Sequence, residues 1–305
     1  MLIIDTHCDS IDTVKDGVGC IVNPYNMSAE HIQFAAAFTD RPGLAPEESW
    51  QLLTRMRRDL RQQARLWPEK LSLCRTLTEA DAAVTAGKKA LFFSMEGAGA
   101  LDGRPERLDE VTADGLRCVA LTWNQNNRYG CANPFSGTSE DTGLTDEGIA
   151  LVKELGRRGI LTDVSHASDN TCFDILRHST LPVLATHSDF RAVTDHKRNL
   201  TDEQAKAIRD TGGVIGLNLC LAFLGDKGTD ALLRHLDYGL QLVGEDALGF
   251  GFDIDGIDDY PEGLDLSRSI HEQVVELLRR AGYGEALIEK LANGNFRRVL
   301  AQVCP

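Results

Sequence analysis

Short apolar runs recur along the chain and alternate with longer amphipathic or charged stretches. The first, residues 2–4, leads at once into Asp5-Thr6-His7-Cys8-Asp9. Residues 31–38 (HIQFAAAF) are rich in alanine yet flanked like a strand, so their pattern alone leaves helix and strand both open. Residues 46–66 read as a helix, with acidic side chains early and basic ones late, as the helix dipole favours. Further buried strands are expected at 89–94, running into Met95-Glu96-Gly97, and at 116–122. The polar stretch 124–143 follows, long enough for a functional lid. Thr145 then caps a helix whose apolar positions recur at helical spacing.

The second half repeats the unit more regularly. A strand over 159–164 ends at His166, and a helix follows to about His178. A strand over 181–186 ends at His187, and Thr201-Asp202-Glu203-Gln204 opens the next helix. A strand over 213–218 precedes a helix over 230–243, then 247–252 leads into Asp253-Ile254-Asp255-Gly256, and two helices close the chain. Strand, loop and helix in unbroken succession imply a parallel sheet covered by helices. With residues 31–38 counted as a strand there are eight, which suits a closed (β/α)8 barrel of the TIM type; without them, seven would form an open sheet. No composition shift or linker marks a boundary, so residues 1–305 are expected to form a single barrel domain.

Composition narrows the partners. The 305 residues are 42% hydrophobic and 26% charged, and a core of this size needs no disulfides. Acidic residues outnumber basic ones by 46 to 32, giving a net charge of −14, and no run of Lys and Arg stands out. Such a surface repels phosphate backbones, which argues against a nucleic-acid partner. No segment approaches the roughly 20 apolar residues of a membrane span. The N-terminus lacks a basic region and a long apolar stretch, so a cytoplasmic protein without a membrane partner is expected. Eight cysteines stand singly at 8, 20, 74, 118, 131, 172, 220 and 304 with no Cys-x-x-Cys pair, and read as reduced, small core hydrophobes. A homodimer is compatible with a barrel, though no patch in the sequence marks an interface.

The informative pattern is where the polar residues fall. His7, Asp9, Glu96, His166, His187 and Asp253 all follow directly on apolar, strand-like runs. In a barrel the carboxyl ends of the strands converge on one face, where active sites form. Histidines and carboxylates delivered there give nitrogen and oxygen ligands suited to zinc, and a glutamate among them can bridge two ions. Such a pair acidifies water toward neutrality and so supplies a nucleophile for amide hydrolysis. Singly, each residue has a plainer reading: His7-Cys8-Asp9 as satisfied strand-end groups, Glu96 as a carboxylate near a helix start, His166 and His187 as hydrogen-bonded loop histidines. Repetition of one arrangement favours the metal site. His31, His178, His235 and His271 lie inside elements and read as structural, while His196, in a charged loop, is left open. Cys8 is expected to point away from His7 and Asp9 by strand alternation.

With these residues in place, the chain resembles the membrane (renal) dipeptidase family, peptidase family M19, over nearly its whole length. The likeness lies in Asp5-Thr6-His7-Cys8-Asp9, Ser94-Met95-Glu96-Gly97, Asp163-Val164-Ser165-His166, Thr186-His187-Ser188, Lys197-Arg198-Asn199, Gly249-Phe250-Gly251-Phe252-Asp253-Ile254-Asp255-Gly256 and a closing Gly294-Asn295-Phe296-Arg297-Arg298-Val299-Leu300. The resemblance implies an amidohydrolase-like (β/α)8 catalytic domain with two Zn2+ ions. His7 and Asp9 would bind the first ion, His166 and His187 the second, and Glu96 would bridge them. Asp253 would take a proton from the bridging water and return it to the leaving amine, with Asp255 as second choice; Arg198 would grip the substrate's C-terminal carboxylate. The implied substrate is a free dipeptide, often with a D-residue at its C-terminal position.

One departure matters. Where the family often has a histidine after Leu-Thr, held to bind the substrate carbonyl, this chain reads Leu121-Thr122-Trp123-Asn124. Trp123 or Asn124 would have to supply that donor, and loss of one oxyanion donor can cost on the order of 10²–10³ in rate. The signal and anchor of the animal members are not expected here either, which points to a soluble form. Two other readings compete: a barrel metallohydrolase acting on another small amide such as an N-acyl amino acid, and a catalytically impaired metal-binding homologue.

Overall fold

The computed structural model describes residues 1–14, 21–133 and 140–305. Nine parallel strands form one sheet: β1 (Leu2–Cys8), β2 (Glu30–Phe38), β3 (Leu71–Leu73), β4 (Lys89–Glu96), β5 (Leu116–Ala120), β6 (Leu161–Asp163), β7 (Val183–Ala185), β8 (Val214–Leu217) and β9 (Leu248–Phe250). Their order runs β2-β1-β9-β8-β7-β6-β5-β4, and pairing of β2 with β4 closes the ring at eight strands. The alanine-rich segment is therefore a strand, in register from Ile32 opposite Ala90 to Phe38 opposite Glu96. β3 stands outside the ring and pairs only with the start of β4, Leu71 opposite Lys89.

Strand alternation sorts the apolar side chains into two layers. Ile3, Leu91, Phe93, Val119, Val183 and Ile215 pack outward against the helices. Ile4, Phe34, Phe92, Leu161, Leu184 and Val214 point the other way and fill the barrel. Phe296, Val299, Leu300 and Cys304 of the last helix complete that inner cluster. The same helix end is tied to strand starts: Asn293 Nδ2 donates to Leu2 O at 3.0 Å and Asn295 Nδ2 to Leu248 O at 2.8 Å. One end of the barrel is thereby sealed, leaving the carboxyl ends of the strands for chemistry.

Helices Pro46–Leu66, Asp146–Arg157, Asp169–His178, Asp202–Asp210, Asp230–Val243 and Ile270–Arg280 match the expected periodic stretches. Thr145, Ser168, Thr201 and Ser269 accept from the backbone N–H three residues on, as N-caps do. The chain then ends in Glu285–Glu289, a π-helical turn over Lys290–Gly294 and Asn295–Val303. The periodic pattern does not reveal β3 or the short helices Leu77–Thr85, Pro105–Ala113 and Leu221–Leu224. No helix among the described residues is long and apolar enough to cross a membrane. Seven described cysteines are free thiols; Cys20 lies outside the described residues, as does the centre of the expected lid, residues 134–139.

Candidate metal centre

The ring delivers all six strand-end residues to one place. His7 is the penultimate residue of β1 and Asp9 follows it, Glu96 ends β4, and His166, His187 and Asp253 come two or three residues after β6, β7 and β9. All six are buried. His166 (φ 69°), Asp253 (φ 59°) and Asp255 (φ 68°) adopt the left-handed backbone region, shared among described non-glycine residues only with Asp102. Asp and His are among the side chains most often seen there. The sharp turn at each strand end is what swings these side chains inward, and such local strain collects at functional sites.

Glu96 sits at the middle of the group. One carboxylate oxygen, Oε2, lies 3.7 Å from His7 Nε2; the other, Oε1, lies 2.9 Å from His166 Nε2 and 3.5 Å from His187 Nε2. His7 Nε2 is also 3.4 Å from Asp9 Oδ2 and 3.8 Å from Asp253 Oδ1. Two overlapping sets, His7–Glu96–His187 and His7–Asp9–Asp253, each hold their ligand atoms within 4.8 Å of one another.

The tautomers of two histidines are set by their neighbours. Thr186 Oγ1 donates its only hydrogen to Asp163 Oδ2 at 2.5 Å, so it can only accept from His187 Nδ1, 2.8 Å away. Asp163 also accepts the backbone N–H groups of Ser165 and Thr186 at 2.9 Å, which fixes it as a carboxylate anchor. Asn124 Oδ1 lies 2.9 Å from His166 Nδ1. With hydrogens on both Nδ1 atoms, the Nε2 lone pairs of His166 and His187 face each other at 3.0 Å, beside the Glu96 carboxylate. Lone pairs that close repel unless a cation lies among them. His7 Nε2 and Asp9 Oδ1 add two buried atoms without a hydrogen-bond partner. These donors fit a metal centre.

Electrostatics carry the same message. Burial opposes charge on His7, but Glu96, Asp9 and Asp253 outweigh it and push the imidazole up to about 10. Burial, then Asp9 and Asp253, hold Glu96 well above the usual carboxylate range. Burial raises Asp253 to about 6, opposed by His7. Burial together with nearby Arg198 and His7 keeps His166 and His187 neutral, far below the ordinary histidine value. Carboxylates crowded closely enough to raise one another, and to pull His7 toward its charged form, mark a concentration of negative charge that a cation would relieve.

Asp253 is held by a residue that sequence reasoning missed. Asn218, fully buried just after β8, donates from Nδ2 to Asp253 Oδ2 at 3.2 Å, while its Oδ1 accepts the N–H of Cys220 at 2.6 Å. Asp255 is occupied structurally: Ser10 Oγ donates to it at 2.6 Å and Tyr25 OH at 2.8 Å. Cys8 is buried, and burial pushes its thiol up to about 12.

A cavity of about 490 Å³ opens above the group, with Asp9, Glu96, His166 and Asp253 in its floor. Trp123 and Phe38, ring centroids 4.5 Å apart, form one wall, and Leu221–Phe223 face them. Asn124 lines the cavity, and its Nδ2 has no partner among the described residues. Arg198 stands behind Phe223, stacked 5.1 Å from that ring, buried, with Nη2 donating to His187 O at 3.3 Å and Nε unpartnered. His196, left open by the sequence, accepts the Arg198 backbone N–H at Nδ1 (3.2 Å) and packs on Phe223, so it shapes the Arg198 loop. His31 and His271 pack on each other below the site, and His271 Nε2 lies 2.7 Å from Asp5.

Among known proteins, a Klebsiella pneumoniae protein described only as uncharacterised, in the pqqA 5′ region, is 35% identical over 276 residues, covering 86% of this chain and 98% of its own length. The solved metallopeptidase of Rhodobacter sphaeroides, liganded with a phosphinate mimic of the dipeptide L-Ala-D-Ala, superposes with a TM-score of 0.88 at 26% identity and 99% coverage of both chains. Dipeptidase AC, a solved family M19 metallopeptidase, superposes at 0.87 with 27% identity, covering 100% of this chain and 99% of its own. The sequence model of the membrane dipeptidases matches from residue 3 to residue 304, so the ring, apart from the first residue of β1, and every side chain around Glu96 fall within it, and the chain belongs to peptidase family M19.

Proposed function

We propose that residues 1–305 form a single catalytic domain, a binuclear zinc dipeptidase that hydrolyses free dipeptides, including those with a D-residue at the C-terminal position. The observation that carries this reading is the pair of imidazole Nε2 atoms held 3.0 Å apart beside a carboxylate whose two oxygens face different histidines. His7 and Asp9 would hold one ion, His166 and His187 the other, with Glu96 shared. Bound there, the ions supply Lewis acidity and lower the pKa of water toward neutrality. Asp253 turns Oδ1 toward the centre while Asn218 holds Oδ2, which suits a group that takes a proton from water and passes it to the leaving nitrogen. Arg198, buried behind Phe223 at the cavity wall, would take the substrate carboxylate: its Nε is unpartnered and its planar fork matches two oxygens. Trp123 and Asn124, both on the cavity lining, would supply the N–H donors for the scissile carbonyl.

A cavity of about 490 Å³ suits a substrate of two residues, and the Rhodobacter neighbour's dipeptide mimic points the same way. Trp123 favours a second reading, hydrolysis of another small amide such as an N-acyl amino acid, because an indole replaces the usual imidazole. Amine release from a panel of Xaa-L-Xaa and Xaa-D-Xaa dipeptides, with zinc-loaded and chelator-stripped protein, tests both. Zinc-dependent turnover that requires a free carboxylate supports the dipeptidase. Two bound zinc ions with no dipeptide turnover would move the assignment to the second reading.

A further inference from the structure

We propose that Asn124 is a positioning residue whose amide carbonyl selects the His166 tautomer able to bind a cation. The inference rests on the metal-centre reading above. A neutral imidazole carries one N–H, and a carbonyl oxygen can only accept. With Asn124 Oδ1 2.9 Å from His166 Nδ1, the hydrogen lies on Nδ1 and the lone pair on Nε2. That lone pair faces Glu96 Oε1 at 2.9 Å and His187 Nε2 at 3.0 Å. Turning the amide over would present an N–H to Nδ1 and move the imidazole hydrogen to Nε2. There it would donate to Glu96, giving a satisfied but metal-refusing arrangement. The orientation of one amide therefore decides between two states of the centre.

His187 has no such choice. Its Nδ1 hydrogen is taken by Thr186, which is tied to Asp163 in a wholly buried chain of bonds. Asn124 instead stands half-exposed on the cavity wall, and His166 Nδ1 is its one hydrogen-bond partner among the described residues. Partners of this kind typically contribute 10–100-fold to metal affinity.

Zinc chloride titrated into chelator-stripped protein against a chromophoric competitor tests the assignment, using wild type, Asn124→Leu and Asn124→Asp. Wild type is expected to take up two ions. Asn124→Leu should weaken one of them about 10–100-fold and leave the other unchanged. Asn124→Asp keeps an acceptor at the same place and should restore wild-type affinity, although it lacks the amide N–H. Nitrogen-15 shifts of the His166 ring in the zinc-free protein should report Nδ1–H in wild type and a mixture in Asn124→Leu. Equal melting temperatures of the stripped proteins guard against a folding effect. Two wild-type-like sites in Asn124→Leu would overturn the inference alone; a wild type that takes up no zinc would sink the metal-centre reading beneath it.

Discussion

Gly256 follows the Asp253 turn, and a side chain there has nowhere harmless to go. A Cβ at this position would come within 2.3 Å of both Asp253 Oδ1 and Asp9 Oδ2, where ordinary contacts begin at 3.4 Å. In Gly256→Ala each carboxylate oxygen must therefore retreat by about 1.1 Å. These oxygens are the ones that face His7 Nε2, at 3.8 and 3.4 Å. A misplacement of about 1 Å can cost 10²-fold in rate, which corresponds to about 2.7 kcal/mol at the barrier. The struck atoms are free ends of side chains, and Gly256 itself is exposed and not in the left-handed region, so the fold should lose less than about 1 kcal/mol. Steady-state kinetics on a dipeptide, zinc content and thermal unfolding, read side by side, separate the two effects. Wild-type kcat/KM with full zinc in Gly256→Ala would refute the claim that the carboxylates are held without slack. A large fall in Tm would show that the backbone yielded instead, and would refute it equally.

Asp253→Asn should keep its zinc and lose roughly 10²–10⁴-fold in kcat, the range of a positioned proton-transfer group; metal analysis beside kinetics checks it, and near-normal turnover would reassign the base. Arg198→Met should raise KM for free dipeptides about 10–100-fold, the size of a lost charge-assisted bond, while dipeptide amides should be equally poor for both proteins; an effect of the same size on the amides would contradict the carboxylate role. Stripping metal with a chelator should lower Tm as well as abolish activity, because a ligand at 100 times its Kd stabilises the native state by about 2.7 kcal/mol. A Tm indifferent to zinc would mean that the lone pairs at the centre are satisfied some other way.

Much of this site could be read in advance because a barrel converts linear order into position. A histidine or carboxylate that follows an apolar run must lie at the rim where the strands end, and His7, Glu96, His166 and His187 were recognisable for that reason alone. What lies between rim positions was less legible. Asn218 ends an apolar run like the others, but an amide there reads as backbone satisfaction until its partner Asp253 is seen across the gap. Thr186 and Asp163 likewise show their role only when β6 and β7 pair and bring them to 2.5 Å. Gly256 is an ordinary loop glycine until two carboxylates appear around it. β3 was missed because three residues carry too little pattern, and because it stands outside the ring.

The sealed end of the barrel has a consequence for how the chain is made. Phe296, Val299 and Leu300 complete the inner packing of strands that begin as early as residue 2, and β1 closes on β9 through Asp5 opposite Phe250. On the ribosome, at about 5–20 residues per second, every strand of the ring emerges before the helix that fills it. A nascent chain therefore carries unpaired parallel edges and an unfilled interior until residue 300 is free, the condition in which strands aggregate. Assembly of the ring cannot finish before the helix carrying Phe296, Val299 and Leu300 has emerged, and the nascent chain should lean on chaperones until then.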